Sequence, residues 1–454
     1  MLKLEKWKQV VYSAGNGGFS ILDNIFGIYF MYFLLPPKET GLPELIFNES
    51  LFFGVTVIGL IIIFGRLVDS ISDPLIAFWS DRNKSRLGRR RFFLLTGAFP
   101  FALSAVLLFT LPDKTGTTLN AVYAAITLGL YFFFYTYYMA PYLALIPELT
   151  HTHEDRIFIT VIQAFFMLIG AAIVMMGVPI IWEGIEHSGV QKSEAFVYSI
   201  ITVAVVGFLV SFIAALVVDE KKYTRGEPAD VPLIQSIKMT LANKAFMLYM
   251  IPVILFWFTF HIIRSTVAYY PVVLLHKDPS FQTILMVELF GGAALFFLLI
   301  SALSKKVSNK VFMSSGLLAF AIFLIPTFFI DTFGENGVIV AGIQMFLLGY
   351  PVAILMVIPN AILSDIAEVD GDATGLRREA MFFGTQGLFM KVNYGIASAI
   401  LAGLFALFGK DVANPLGVKI SGPVAAAFSF IGFLAFMAYP QDAITEKLKK
   451  IRGK

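Results

Sequence analysis

Apolar and polar residues alternate along this chain in long blocks rather than at the short periods of a soluble fold. Twelve stretches approach or exceed the roughly 20 apolar residues that a bilayer-spanning helix needs: roughly 10–35, 50–80, 92–112, 118–148, 158–182, 195–218, 245–275, 281–303, 311–330, 337–364, 379–408 and 421–440. Several are longer than about 25 residues, which predicts tilted or broken spans. Glycine and proline fall inside many of them ("GNGG", "DPL", "MAPY", "YPVA"), as membrane helices tolerate where neighbours or a cavity satisfy the freed backbone groups.

The polar breaks organise these spans. The longest, "VVDEKKYTRGEPADVPLIQSIKMTLANKA", divides them six and six. This predicts an all-α integral membrane protein with an N-terminal half (1–218), a central loop (219–244) and a C-terminal half (245–454). The basic turn "DRNKSRLGRRR" between spans two and three has a weaker echo, "SKKVSNK", between spans eight and nine. Two such pseudo-symmetric halves are the layout of a transporter whose solute site lies between them near the midplane.

Composition sharpens this picture. Of 454 residues 58% are hydrophobic and 14% charged, against about a quarter charged in soluble domains. Placing both termini in the cytoplasm puts 25 of the 34 lysines and arginines in cytoplasmic segments, six in external loops and three (Arg66, Arg264, Lys391) inside spans. That is the asymmetry the positive-inside rule demands, and it predicts a multi-pass protein of the cell (inner) membrane. "MLKLEKWKQVVYSAGNGG" lacks a short apolar stretch ending in a cleavage site, so the first span is expected to be retained. The net charge of +3 follows from topology and supports no nucleic-acid partner. There are no cysteines, which excludes thiol chemistry. "HTHED" at 151–155 reads as a solvated loop, because metal sites recruit further ligands. No nucleophile–base pair or metal cluster points to an enzyme, no cofactor is implied, and a monomer in membrane lipid is expected.

The charges inside the spans carry the chemistry. An ionisable group near the bilayer centre costs at least about 2.5–3.5 kcal/mol, so it usually faces the protein interior and serves a function. Arg66, Asp69 and Asp73 in "RLVDSISD" are spaced three and four apart and share one helix face. Arg66 could simply pair with Asp69 and anchor the helix, but that leaves Asp73 unexplained. Two carboxylates one turn apart in a low dielectric repel each other unless a proton or cation lies between them, and a hard cation prefers such oxygens. Lys391 lies deep in an otherwise uncharged stretch, and its expected partners are these aspartates, across the interface between the halves. Asp23, His261, Arg264 and Glu288 are the remaining intramembrane candidates. His261 and Arg264 share a face of span seven, either lining the cavity or forming an external gate, and Glu288 either pairs with Arg264 or serves transport.

The segment "RLVDSISDPLIAFWSDRNKSRLGRRR" resembles the second helix and following loop of the glycoside–pentoside–hexuronide:cation symporters, a branch of the major facilitator superfamily. "DNIFGIYFMY", "YTYYMAPYLALIPEL" and "SDIAEVDGDATGLRREAMFFGTQGLFMK" resemble further family segments in order and spacing. The resemblance implies a twelve-helix alternating-access fold that moves a small solute together with Na+, Li+ or H+. By position it implies a cation site, occupied by Na+ where that is the coupling ion, at Asp69 and Asp73, with the Thr136 hydroxyl and with Lys391 close by. Asp23 matches a helix-one aspartate that binds sugar hydroxyls. Asp81, Arg82, Arg86 and Arg89 in the basic turn and Asp365, Glu368 and Arg377 in the later segment are expected to form a cytoplasmic gate.

The departures concern the solute. Met139 and Leu143 stand where the family's galactoside carriers have an aspartate and a tryptophan, and Ala164 replaces a sugar-site arginine. Losing an acid and a base together removes charge-assisted hydrogen bonds to a small sugar. Tyr135, Tyr138, Met139 and Tyr142 give span four an aromatic, partly apolar lining, which predicts a sugar or glycoside other than a simple galactoside. Two other readings stand beside this one: coupled transport of an amphipathic lipid such as a lysophospholipid, and a non-transporting receptor or scaffold on the same fold.

Overall fold

The computed structural model describes residues 4–47, 50–52, 55–149, 153–223, 240–303, 306–374 and 379–452. Among these, twelve helices correspond to the twelve apolar stretches. In the first half they are α1 (Lys6–Leu34), α2 (Val57–Arg82), α3 (Arg91–Leu107), α4 (Thr118–Leu149), α5 (His153–His187) and α6 (Lys192–Val217). In the second they are α7 (Lys244–Leu274), α8 (Gln282–Leu303), α9 (Asn309–Phe323), α10 (Gly337–Thr374), α11 (Glu379–Phe408) and α12 (Leu416–Met437). The tail adds α13 (Gln441–Arg452), an amphipathic helix that turns Ile444 and Leu448 inward and Lys447, Lys449 and Lys450 outward.

Helix ends depart from hydropathy where local chemistry takes over. The second span was expected from residue 50, but Ser50–Phe52 and Val55–Thr56 pair as short antiparallel strands, β1 and β2. The helix begins only at Val57, because the Thr56 hydroxyl accepts the Gly59 amide at 3.1 Å and caps the first turn. At its far end α10 runs to Thr374 rather than 364, since a helix leaving the bilayer is ended by caps and turns and not by loss of apolar character.

The two halves are built alike. In the first, α1 packs on α5 and α6, α2 on α4, α3 on α4 and α6, and α5 on α6. Adding six to each number gives the packing of the second: α7 on α11 and α12, α8 on α10, α9 on α10 and α12, and α11 on α12. The main seams between halves, α2 with α11 and α5 with α8, exchange under the same operation. Repeated folds place ligand sites on such an interface.

Within each half the polar side chains turn inward among a buried apolar core, and the outward faces are apolar as well. On α2, Leu60, Phe64, Leu67, Ile71, Leu75 and Phe78 form an exposed stripe while Arg66, Asp69, Ser72 and Ser80 are buried. This inverts the amphipathicity of a soluble helix, as a surface that meets lipid requires. On α1 successive inward turns meet α5 carbonyls: Asn16 donates to Gln163 at 3.1 Å and Ser20 to Met167 at 2.7 Å, while the Ser13 hydroxyl, bonded to Gln9 of its own helix at 2.7 Å, lies 3.3 Å from Ile159. Such bonds add to the close packing that joins helices in lipid.

At the face opposite the termini, the segment after α1 clamps onto the turn between α11 and α12. Lys410 reaches Glu44 at 2.6 Å and the Pro36 carbonyl at 3.2 Å, the Lys38 amide donates to Asp411 at 2.9 Å, and the Tyr269 hydroxyl donates to the Leu35 carbonyl at 3.0 Å. The halves are therefore tied together at that end.

The tightest helix seam makes a simple test. A Cβ at Gly292 on α8 would run into the carbonyl of Phe346 on α10, whereas one at Gly177 on α5 meets nothing within 4 Å. Gly292→Val is expected to cost at least about 1–3 kcal/mol by overpacking and to lower the melting midpoint of the purified protein, while Gly177→Ala leaves it unchanged or slightly raised.

Candidate functional site

Helix periodicity delivers three α2 side chains to one point inside the bundle. Arg66, Asp69 and Asp73 face α4, which supplies Thr136, and α11, which supplies Lys391 from the other half. The Lys391 ammonium lies 2.8 Å from Asp69 Oδ1 and 2.7 Å from Asp73 Oδ1. Thr136 Oγ1 lies 2.9 Å from the same oxygen of Asp69 and 3.1 Å from that of Asp73, so its single proton serves one carboxylate at a time. Asp69 is fully buried, and its second oxygen faces Arg66 Nη1 at 3.4 Å. Two carboxylates and two cations balance. The ammonium stands where the carboxylate oxygens and the hydroxyl converge, the place a small cation would take among the same ligands.

Arg66 is held by its ion pair with Asp69 and by aromatic rings. Its guanidinium carbon lies 4.3 Å from the Phe132 ring centre, 5.3 Å from Tyr394 and 5.8 Å from Phe26. Its Nε is buried without a hydrogen-bond partner among the described residues. Gly395 lets α11 come this close, since a Cβ there would press on the arginine's Cγ at 3.1 Å. A desolvated cation–π contact contributes about 2 kcal/mol, so the rings add substantially to the ion pair with Asp69.

A second charged contact joins the halves on the side of this cluster away from the termini. Arg264 Nη2 on α7 donates to Asp23 Oδ2 at 2.9 Å and to the Asp23 carbonyl at 2.8 Å. Just beyond Asp23, α1 widens into a π-helical turn, Ile25–Tyr29, and α7 has its own at Tyr270–Leu274. Gly27, within the first, provides the space for the guanidinium, which a Cβ would overlap, and its carbonyl accepts the Ser265 hydroxyl at 3.0 Å. Turns of this kind are frequent at functional sites.

The other expected solute residues separate into two groups. Tyr135 is half-buried, with Lys391 Nζ 5.6 Å from its ring centre, and Met139 is half-buried one turn along. His261 shares a hydrogen bond of 2.7 Å with Ser398 and stacks on Tyr394 with ring centres 5.1 Å apart. Tyr138 and Tyr142, by contrast, are fully buried within the first half. The Tyr138 hydroxyl donates to the Ser211 carbonyl at 3.1 Å, and that of Tyr142 donates to the Tyr12 carbonyl at 2.7 Å while accepting Gln163 Nε2 at 3.0 Å. These two brace α4 against α1, α5 and α6 and do not line the space between the halves. Of the two roles left open for Glu288, the pairing with Arg264 is not made: the carboxylate of Glu288 lies against Gly342 of α10, and Arg264 is taken by Asp23.

The expected gate residues lie toward the face that carries the termini. Asp81 and Arg82 form the last turn of α2, where the Arg82 guanidinium lies 3.9 Å from the Phe78 ring centre. Arg86 is exposed in the following loop, and the Arg89 carbonyl there accepts Asn83 Nδ2 at 2.9 Å. Asp365 and Glu368 are half-buried on α10, with Asn309 Nδ2 3.5 Å from Asp365. Arg377 lies outside the described residues.

Tyr394, Ser398, Phe26 and Phe132 were not anticipated. Tyr394 and Ser398 had a legible signal, since they follow Lys391 at i+3 and i+7 on the same helix face. The two phenylalanines had none, being two among 47 in the chain.

Comparison with known proteins agrees with this architecture. The uncharacterized symporter YnaJ of Bacillus subtilis is 28% identical over 179 residues, 39% of this chain and 36% of that protein. The isoprimeverose transporter of Lactiplantibacillus pentosus is 23% identical over 271 residues, 59% of this chain and 55% of that one. The matches thus span about a third to a half of these relatives. Among solved structures, a bacterial homologue of the human lysosomal transporter Spinster, captured inward-facing and unoccupied, superposes with a TM-score of 0.65 at 12% identity, covering 97% of this chain and 99% of that one. The model of the MFS/sugar transport protein family matches residues 11–437, and the chain belongs to that family of multi-pass membrane transporters.

Proposed function

We propose that this protein is a cation-coupled symporter that moves a sugar or glycoside by alternating access, in the inner membrane of a bacterium with both termini in the cytoplasm. The observation that carries this reading is the Lys391 ammonium shared at 2.8 and 2.7 Å between Asp69 and Asp73. The pair of carboxylates lies on one half and the lysine on the other, so whatever occupies the carboxylates decides how firmly the halves hold together there. A Na+ or Li+ ion coordinated by Asp69, Asp73 and Thr136, or a proton on one carboxylate, removes the reason for Lys391 to stay. A sugar class is favoured by family membership and by the relative that carries isoprimeverose. The Asp23–Arg264 contact adds a carboxylate and a guanidinium able to exchange their mutual bonds for solute hydroxyls. These polar groups favour a hydroxylated solute over a lysolipid.

Thermodynamics sets the condition for coupling. Each ligand moves the conformational equilibrium only by its differential affinity for the two states, and the effect is reciprocal. Removing Lys391 from the carboxylates without a replacement leaves a buried charge uncompensated, which costs about 3–5 kcal/mol. The bare transporter is thereby restrained from exchanging states without its cation.

Asp69→Asn and Asp73→Asn are each expected to abolish cation-driven sugar uptake into vesicles while leaving protein levels similar; uptake at the parent rate in either variant overturns the reading. Lys391→Met is expected to lower stability by about 3 kcal/mol, seen as a reduced melting midpoint. Adding Asp73→Asn to it should recover part of that loss, because one of the two stranded carboxylates is removed.

A further inference from the structure

The cation cluster and the Asp23–Arg264 contact share no residue, yet one side chain touches the surroundings of both. Tyr394 lies on α11, one turn beyond Lys391. On one side its ring lies under Arg66, whose guanidinium carbon is 5.3 Å from its centre. On the other it stacks on His261 with an interplanar angle of 21°, and it meets Trp257 of α7 at 6.3 Å. His261 precedes Arg264 by three residues on α7 and so lies one turn away on the same face. A continuous path therefore runs Asp69, Arg66, Tyr394, His261, Arg264, Asp23, through α2, α11, α7 and α1.

We propose that Tyr394 is the positioning residue that transmits occupancy of the Asp69/Asp73 site to the Asp23–Arg264 contact. The inference rests on the cation-site reading given above. Its two-position element is Arg66, which has one long hydrogen bond to Asp69 at 3.4 Å, a buried Nε without a partner among the described residues, and aromatic faces on its other sides. A cation on Asp69 weakens that carboxylate's hold on Arg66, and the guanidinium settles onto the rings. Phe132 and Phe26 belong to the same half as Arg66, whereas Tyr394 belongs to the other, so of these three rings it is Tyr394 that carries the displacement across. Its stacked partner His261 is tied back to α11 by the Ser398 hydrogen bond, so ring and imidazole shift together and move the turn of α7 that bears Arg264. Coupling of this kind needs an element that both sites bias, and the caged arginine supplies it.

The absence of cysteine from the chain permits a direct test with the full-length protein in lipid nanodiscs. Ser265, buried at the cross-half contact with Gly27, is replaced by Cys. Its alkylation by N-ethylmaleimide is timed in NaCl, LiCl and choline chloride, at acidic and at alkaline pH, each rate being divided by that of the same protein unfolded at the same pH because maleimide reacts with the thiolate. Cation binding is followed in parallel through the melting midpoint, which rises by mass action when an ion binds the folded state. In the Ser265→Cys parent and with Tyr394→Phe, which keeps the ring, the effective cation is expected to raise both the midpoint and the alkylation rate, the latter about five-fold or more, within the usual range for coupled sites. With Tyr394→Leu the midpoint rise should persist while the rate response disappears. His261→Gln, which breaks the far contact, is expected to behave in the same way and serves if the leucine variant does not fold. An undiminished rate response in Tyr394→Leu or His261→Gln overturns the proposal. So does a parent whose midpoint responds but whose alkylation does not, or a Tyr394→Leu protein that loses both responses, since Tyr394 would then be holding the ion site itself. A parent in which no cation and no pH change moves the midpoint instead overturns the cation-site reading, and the relay with it.

Discussion

The shared ammonium of Lys391 is the interaction on which the arrangement of this protein turns. A lysine on α11 and two aspartates on α2 are each too costly to leave alone in the bilayer; the lysine finds its carboxylates in the other half, and the aspartates share its ammonium while Arg66 and Thr136 of their own half assist. The two seams between the halves, α2 with α11 and α5 with α8, are related by the same pseudo-symmetry, and the first carries the Lys391 ion pairs at its centre. The second seam is joined by a bond of ordinary kind, Thr283 to the Met176 carbonyl at 3.1 Å.

Around this cluster the polar groups are graded by how firmly they are held. Asp69 is fully buried between Lys391, Arg66 and Thr136, whereas Asp73 is about a third exposed beside Lys391 and the Thr136 hydroxyl, whose one proton serves either carboxylate. Asp73 is thus the more accessible of the two carboxylates, and Asp69 the one in contact with Arg66. Arg66 in turn is held by that one long ion pair and by rings, a loose attachment for a buried cation. A firmly chelated arginine would lock α2 against α11, and a caged one can move between its aspartate and its aromatic neighbours. The Asp23–Arg264 contact lies one step further along the same route, with Gly27 and the π-helical turn of α1 opening just enough space for it.

Much of the fold was legible in the chain because lipid is an undiscriminating solvent. Any helix that crosses it must be apolar along its length, so twelve long apolar blocks mean twelve spans, and a long polar break after the sixth means two halves. Segment ends were less legible: Thr56 caps α2 later than hydropathy suggests, and the ribbon before it has no signal in apolar content. The cation cluster was legible for a related reason. Charges are so rare in these spans that Arg66, Asp69, Asp73 and Lys391 stand out, and the helical period puts the first three on one face.

What the chain determined by itself was therefore composition along each helix: which segments enter the bilayer, which charges go with them and which of those share a face. Only the tertiary structure decided who faces whom. It gave Arg264 to Asp23 and not to Glu288, folded Tyr138 and Tyr142 into the body of the first half while leaving Tyr135 beside Lys391, and placed Tyr394 between an arginine and a histidine from different helices. The physical reason is that helix period fixes direction within one segment, whereas the meeting of side chains from four helices depends on crossing angles and close approaches set by backbone contacts such as those of Gly27 and Gly395. Those contacts arise from the packed bundle as a whole and from no single stretch of sequence.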